Sequence, residues 1–179
     1  MRLLPASELK PLVQDRVLAW DNPIDFVGQG IALPEGTPPS EAVKAMEDAG
    51  FSVGAGQQFV SKGGVGAHID VAKFDSTNGA RGALVYLHGQ DLLHPCFTSC
   101  SVDTHRFTVK GVPGSTGVHQ TPNGIKPPLG SHPFERDLAE FTIGEYLYVV
   151  EADGDPGSIP PARFDQGVEV LYQHAKQVH

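Results

Sequence analysis

The chain has 179 residues, 40% of them hydrophobic and 19% charged, with 13 Lys and Arg against 21 Asp and Glu for a formal charge of −8. A domain of this length buries roughly 70% of the surface its unfolded chain exposes, so it needs neither metal nor disulfide to hold a core. The acidic balance and the dispersed basic residues argue against nucleic acid and against anionic membrane surfaces as partners.

No apolar stretch approaches the ~20 residues that cross a bilayer, and MRLLPASELK holds no signal-peptide hydrophobic region. Taken literally, that reads as cytoplasmic. A mature secreted domain behind an added Met reads the same way. Residues 1–36 are expected to be an irregular arm, with Pro11 discouraging a long helix and Trp20, Ile24, Phe26 and Val27 docking onto the rest. Residues 37–179 are expected to form one α+β domain.

The first helix is expected between Thr37, an N-cap candidate followed by Pro38, and Gly50, which suits the position just past a helix end. The apolar period then drops from about 3.6 to 2. FSVGAGQQFV and VGAHIDVAKF, joined at Lys62-Gly63-Gly64, read as a hairpin. In its second strand Val65, Ala67, Ile69 and Val71 share one face, leaving His68 and Asp70 to face water. Ser76 should cap a second helix carrying Ala80, Ala83, Leu84 and Leu87, and Pro95 stops any continuation.

THRFTVKGV alternates as a strand, and the loop over residues 113–135 holds a short strand near Gly117–Thr121. RDLAEFTIGEYLYVVEAD reads as a hairpin turning at Ile143-Gly144-Glu145. Both faces of its second strand are apolar, which suits a central strand or one beneath a ligand. A last helix, Pro160–Val178, carries the stripe Phe164, Val168, Leu171 and Ala175. The order predicts an α+β domain with an antiparallel-dominated sheet of five or six strands and about three helices.

The segments LLPASEL, AGFSVGAGQQFVS, DVAKFDSTNGARGAL, FTVKGVPGSTG and GEYLYVVEAD, followed by a C-terminal helix, resemble small secreted or lipid-anchored actinobacterial domains. Some of those are similar to the PsbP-like α+β fold. The resemblance runs in element order over residues 40–178. It implies an extracellular or envelope location and a binding or structural role, and it carries no functional residues onto this chain.

The most chemical stretch is HPCFTSCSVDTH. His94, Cys96, Cys100 and His105 supply four potential zinc or copper ligands, though not at a usual spacing. Cys96 and Cys100 are one residue too far apart, and on the wrong side of a helix, for a thioredoxin-like redox pair. The remaining reading is a disulfide closing a five-residue loop, stabilising by about 2 kcal/mol or less in an oxidising compartment. His68 with Asp70, and His119 and His132 in the 113–135 loop, are further candidates.

No nucleophile elbow, phosphate loop or HExxH zinc motif is present, and Asp153-Gly154-Asp155 lacks the position-twelve acid of a calcium loop. Three functions follow as expectations. The first is a non-enzymatic envelope or secreted domain that needs no cofactor. It would bind a partner protein or an apolar small molecule through Tyr146, Tyr148, His68, His119 and the 113–135 loop. The second is a metal-binding protein or enzyme using His94, Cys96, Cys100 and His105. The third is a structural subunit of a larger assembly, with the N-terminal arm packed on a neighbour.

Overall fold

The computed structural model describes residues 13–31, 33, 37–61, 65–93, 102–123 and 135–178. Seven strands, β1 (Val13–Trp20), β2 (Phe51–Val60), β3 (Gly66–Phe74), β4 (Val102–Phe107), β5 (Thr116–Pro122), β6 (Glu135–Ile143) and β7 (Tyr146–Gly154), form one sheet. Four helices accompany them: a single turn α1 (Pro23–Asp25), running into a π-helical turn at Phe26–Gly30, then α2 (Pro39–Asp48), α3 (Thr77–Leu93) and α4 (Pro161–Val178). The expected α+β class holds, with more strands than the five or six read from the sequence.

The sheet order is β1-β2-β3-β7-β6-β5-β4, antiparallel throughout. Two meanders, β1 to β3 and β4 to β7, meet where β3 pairs with β7, and α3 carries the chain from the centre to the far edge. Its 17 residues rise about 25 Å, enough to span the roughly 19 Å of four interstrand spacings. On its way α3 touches β3, β7, β6 and β5.

A hydrophobic core lies on each side of the sheet. One core joins Phe26, Met46, Ala83 and Leu87 to Ala72, Phe74, Leu138, Leu147 and Val149 beneath α2 and α3. The other joins Ile69, Val71, Phe141, Tyr148 and Val150 to the stripe Phe164, Val168, Leu171 and Ala175 of α4. Strand alternation divides β3, β6 and β7 between the two. Among the described residues, no helix is long and apolar enough to cross a membrane.

Three details differ from expectation. Val13–Trp20, inside the segment expected to be irregular, is a strand paired with β2. Trp20, Phe26 and Val27 enter the core beside it, while Ile24 stays 64% exposed. Thr37 does not cap α2. Pro38 takes that position, and the Thr37 hydroxyl instead donates to Gln90 Oε1 at 3.2 Å. Asp70 does not face water but is 5% exposed, because α2 and α3 cover the side of β3 opposite Ile69.

Candidate functional site

β6 opens with Glu135-Arg136-Asp137-Leu138-Ala139-Glu140, and all six residues are buried. Alternation sends Glu135 and Asp137 toward α4, and Arg136 and Glu140 toward α3. Four ionisable groups taken out of water within six residues are tolerable only if they find partners. The polar chemistry of the fold therefore concentrates on this strand.

On the α3 side Arg136 is the hub. Its Nη1 donates to Asp91 Oδ1 at 2.9 Å and to Gln120 Oε1 at 3.4 Å. Its Nη2 donates to Glu151 Oε2 at 3.1 Å, and Nε lies 3.1 Å from Glu151 Oε1 as an ion-pair contact with the same carboxylate. Burial opposes the guanidinium charge, but Glu151 and Asp91 outweigh it, and Arg136 holds its proton more tightly than a free arginine. The Asp91 carboxyl is raised by burial against the pull of Arg136.

Further along, Glu140 Oε2 lies 3.4 Å from His88 Nδ1 and accepts from Thr116 Oγ1 at 3.4 Å. Burial lifts the Glu140 pKa to about 7, opposed in part by His88. Asp70 on the same side is pushed well above the ordinary carboxylate range by burial, with Glu151 adding repulsion. The α3 side thus holds more carboxylates than cations. Glu140, lifted to about 7, can take up a proton near neutrality, and the buried guanidinium of Arg136 is already occupied by two acids.

On the α4 side the strand register sets His119 of β5 opposite Asp137 of β6. His119 Nδ1 and Asp137 Oδ1 are 2.7 Å apart. Glu135 accepts a hydrogen bond from the backbone N–H of Gly157. One ligand atom from each of His119, Glu135 and Asp137 lies within 4.8 Å of the other two. Burial raises the Asp137 carboxyl, His119 pulls it back, and Glu135 and Asp165 push it up again.

The residues expected to share one binding surface are not assembled into one. Tyr146 and Tyr148 lie on the α4 side of β7, whereas His68, between Gln58 and Glu151 in the register, lies on the α3 side. Tyr148 is 2% exposed, its ring stacked on Phe141 at 4.9 Å, and Tyr172 of α4 packs edge-on against Phe141. It is a core residue because α4 closes over this part of the sheet, and burial raises its phenol. Tyr146 is half-buried, with Lys73 Nζ 6.0 Å from its ring centre.

His119 joins a different constellation, described above, and His105 of β4 is its register partner. His94, Cys96, Cys100 and His132 lie outside the described residues. Sequence reasoning missed Glu135, Arg136, Asp137, Glu140 and Asp91. The available signal was the pair of acids alternating with Arg136 and Leu138 on a strand that continues as AEFTI, a pattern with charge on both sides.

No family model matches the chain, and no curated protein does. Among solved structures, the extracellular domain of PknH from Mycobacterium tuberculosis aligns with a TM-score of 0.56 at 14% identity, covering 96% of this chain and 93% of that one. A putative uncharacterised protein of Mycobacterium smegmatis, the Rv0999 ortholog, aligns with a TM-score of 0.44 at 13% identity, covering 92% and 89%. The chain is similar in fold to the PknH extracellular domain over nearly its whole length.

Proposed function

We propose that the chain is a non-enzymatic domain of the bacterial cell envelope, held outside the cytoplasm, that binds a partner protein. The observation that carries the binding role is the part of the sheet α4 leaves open. α4 packs over β3, β7 and β6. On the adjoining β1–β2 ladder Val17 is 52% and Val53 37% exposed. Val53 continues through its register partner Lys73 to Tyr146. Among the described strands β1 is the outermost beside these exposed valines, so a partner gains both side-chain contacts and a strand edge to pair with.

An apolar small molecule fits less well, because side chains of α4 fill the inner side of β7 where Tyr148 lies. The location draws on the fold shared with an extracellular domain. In that compartment Cys96 and Cys100 close a disulfide.

A photo-crosslinking residue placed at position 17 or 53 in the native host should trap one discrete protein. The same residue at Val85, 70% exposed on α3, should trap none. Equal labelling from all three positions, or from none, would sink the partner reading. Two alkylatable thiols in the unreduced protein from that host would sink the location.

A further inference from the structure

We propose that His119, Asp137 and Glu135, with His105 as a fourth ligand, form a binding site for a divalent transition-metal ion of the zinc class on the α4 side of the β4–β5–β6 ladder. This site goes beyond the partner-binding role and does not depend on it.

The register carries the argument. β4 and β5 pair His105 with His119, and β5 and β6 pair His119 with Asp137. The three are direct cross-strand neighbours in a row, where Cβ atoms lie about 5 Å apart. They share a side. Phe107, two residues after His105, packs against Phe164 of α4, and its ring fills the space beside Gly117, two residues before His119. Glu135, two residues before Asp137, falls on that side as well.

The geometry is close to closure. The ligand atoms of His119, Glu135 and Asp137 lie within 4.8 Å of one another; around one ion at ~2.1 Å they would sit about 3.5 Å apart, so the 2.7 Å contact between His119 Nδ1 and Asp137 Oδ1 has to open. The His119 side chain, 25% exposed, and the exposed His105 can rotate into that arrangement. The Gly157 N–H fixes Glu135 in place.

An independent observation points to a ligand. Asp137 is 2% exposed. His119 engages only Oδ1, and Oδ2 has no hydrogen-bond partner among the described residues. Buried acceptors are satisfied in the great majority of cases, so an isolated carboxylate oxygen beside an imidazole and a second carboxylate calls for a cation. Charge agrees: Glu135, Asp137 and the neighbouring Asp165 act together on this spot with one half-buried imidazole among them. Two carboxylates with two imidazoles are a mixed nitrogen and oxygen set. That set suits zinc and its neighbours rather than magnesium or calcium, which take oxygen alone.

The test is calorimetric titration of Zn2+ into the untagged full chain after chelator dialysis. One equivalent should bind. His105→Ala should weaken binding by about tenfold and His119→Ala or Asp137→Asn by roughly a hundredfold or more, while a Cys96→Ser/Cys100→Ser double variant binds as the parent does. Unchanged binding in His119→Ala, loss of binding in the cysteine variant, or no binding at all overturns the site and leaves His119 and Asp137 an ion pair only. Should Asp137→Asn not fold, imidazole NMR of the unmutated chain decides. Zn2+ should move the His105 and His119 ring resonances and leave His68 and His88 in place. Immobile His119 resonances overturn the proposal.

Discussion

Arg136 is 2% exposed, donates to Glu151 through Nη2, sets Nε 3.1 Å from the same carboxylate, and reaches Asp91 through Nη1. Removing only the guanidinium would leave two carboxylates in the interior without a counterion. Arg136→Met is therefore expected to destabilise the protein by about 3–5 kcal/mol, whereas replacing Arg136, Asp91 and Glu151 together by apolar residues of similar volume should recover most of that loss. Urea unfolding at pH 7 measures both. A single-variant loss below about 1 kcal/mol would show that the network behaves like a surface pair. RDLAEFTI carries the alternation of charge but not its burial. A two-residue period tells which side of a strand a residue faces, but not whether that side meets water or a helix. Here α3 and α4 cover both sides of β6, so Glu135, Arg136, Asp137 and Glu140 are all buried.

Among the elements, the junction of α2 with α3 is specified locally. Gly50 takes φ 78° just past α2 and its carbonyl accepts from the Asp75 N–H at 2.9 Å, after which Ser76 Oγ accepts from the Gly79 N–H at 3.0 Å to cap α3. A Cβ on Gly79 would collide with the Ala49 carbonyl. In a free helix Gly→Ala stabilises by about 1 kcal/mol. In this junction Gly79→Ala should instead destabilise by roughly 1–3 kcal/mol, because neither backbone can yield without breaking the cap. Thermal unfolding reads the sign directly, and a stabilised variant would show that the two helices are not packed this closely. The Gly50 stop, the Ser76 cap, the hairpin turn at Gly144 and the α4 stripe were all readable in the sequence, because each depends on neighbours a few positions away. β1 was not. Its register shifts between Gln14 and Arg16, which interrupts the alternation that marks a strand. Asp70 was misread for the reason Arg136 was missed.

Across the whole fold, burial shifts six of the described carboxylates in one direction. Asp70, Asp91, Asp137, Glu140, Asp153 and Asp165 all bind protons more tightly in the folded chain, burial being the largest cause in each. The native state therefore holds more protons than the unfolded one. Stability from these groups is fully present below the ordinary carboxylate range and is lost as pH rises through their folded values. This reverses the familiar case of salt-bridged carboxylates, which lose stability in acid. For Glu140 the window runs from 4.5 to about 7, equivalent to roughly 3 kcal/mol when its carboxylate must ionise in place. The net charge of −8 adds self-repulsion in the same sense. Thermal unfolding should show the midpoint falling by about 5–10 °C between pH 5.5 and pH 8. Glu140→Gln, which cannot ionise, should flatten that slope and stabilise the protein at pH 8 while leaving it nearly unchanged at pH 5. A profile that is flat or rises over this range would refute the buried acid excess. A slope that survives in Glu140→Gln but disappears in Asp70→Asn would move the titrating group across the α3 side, from beside His88 to beside Glu151.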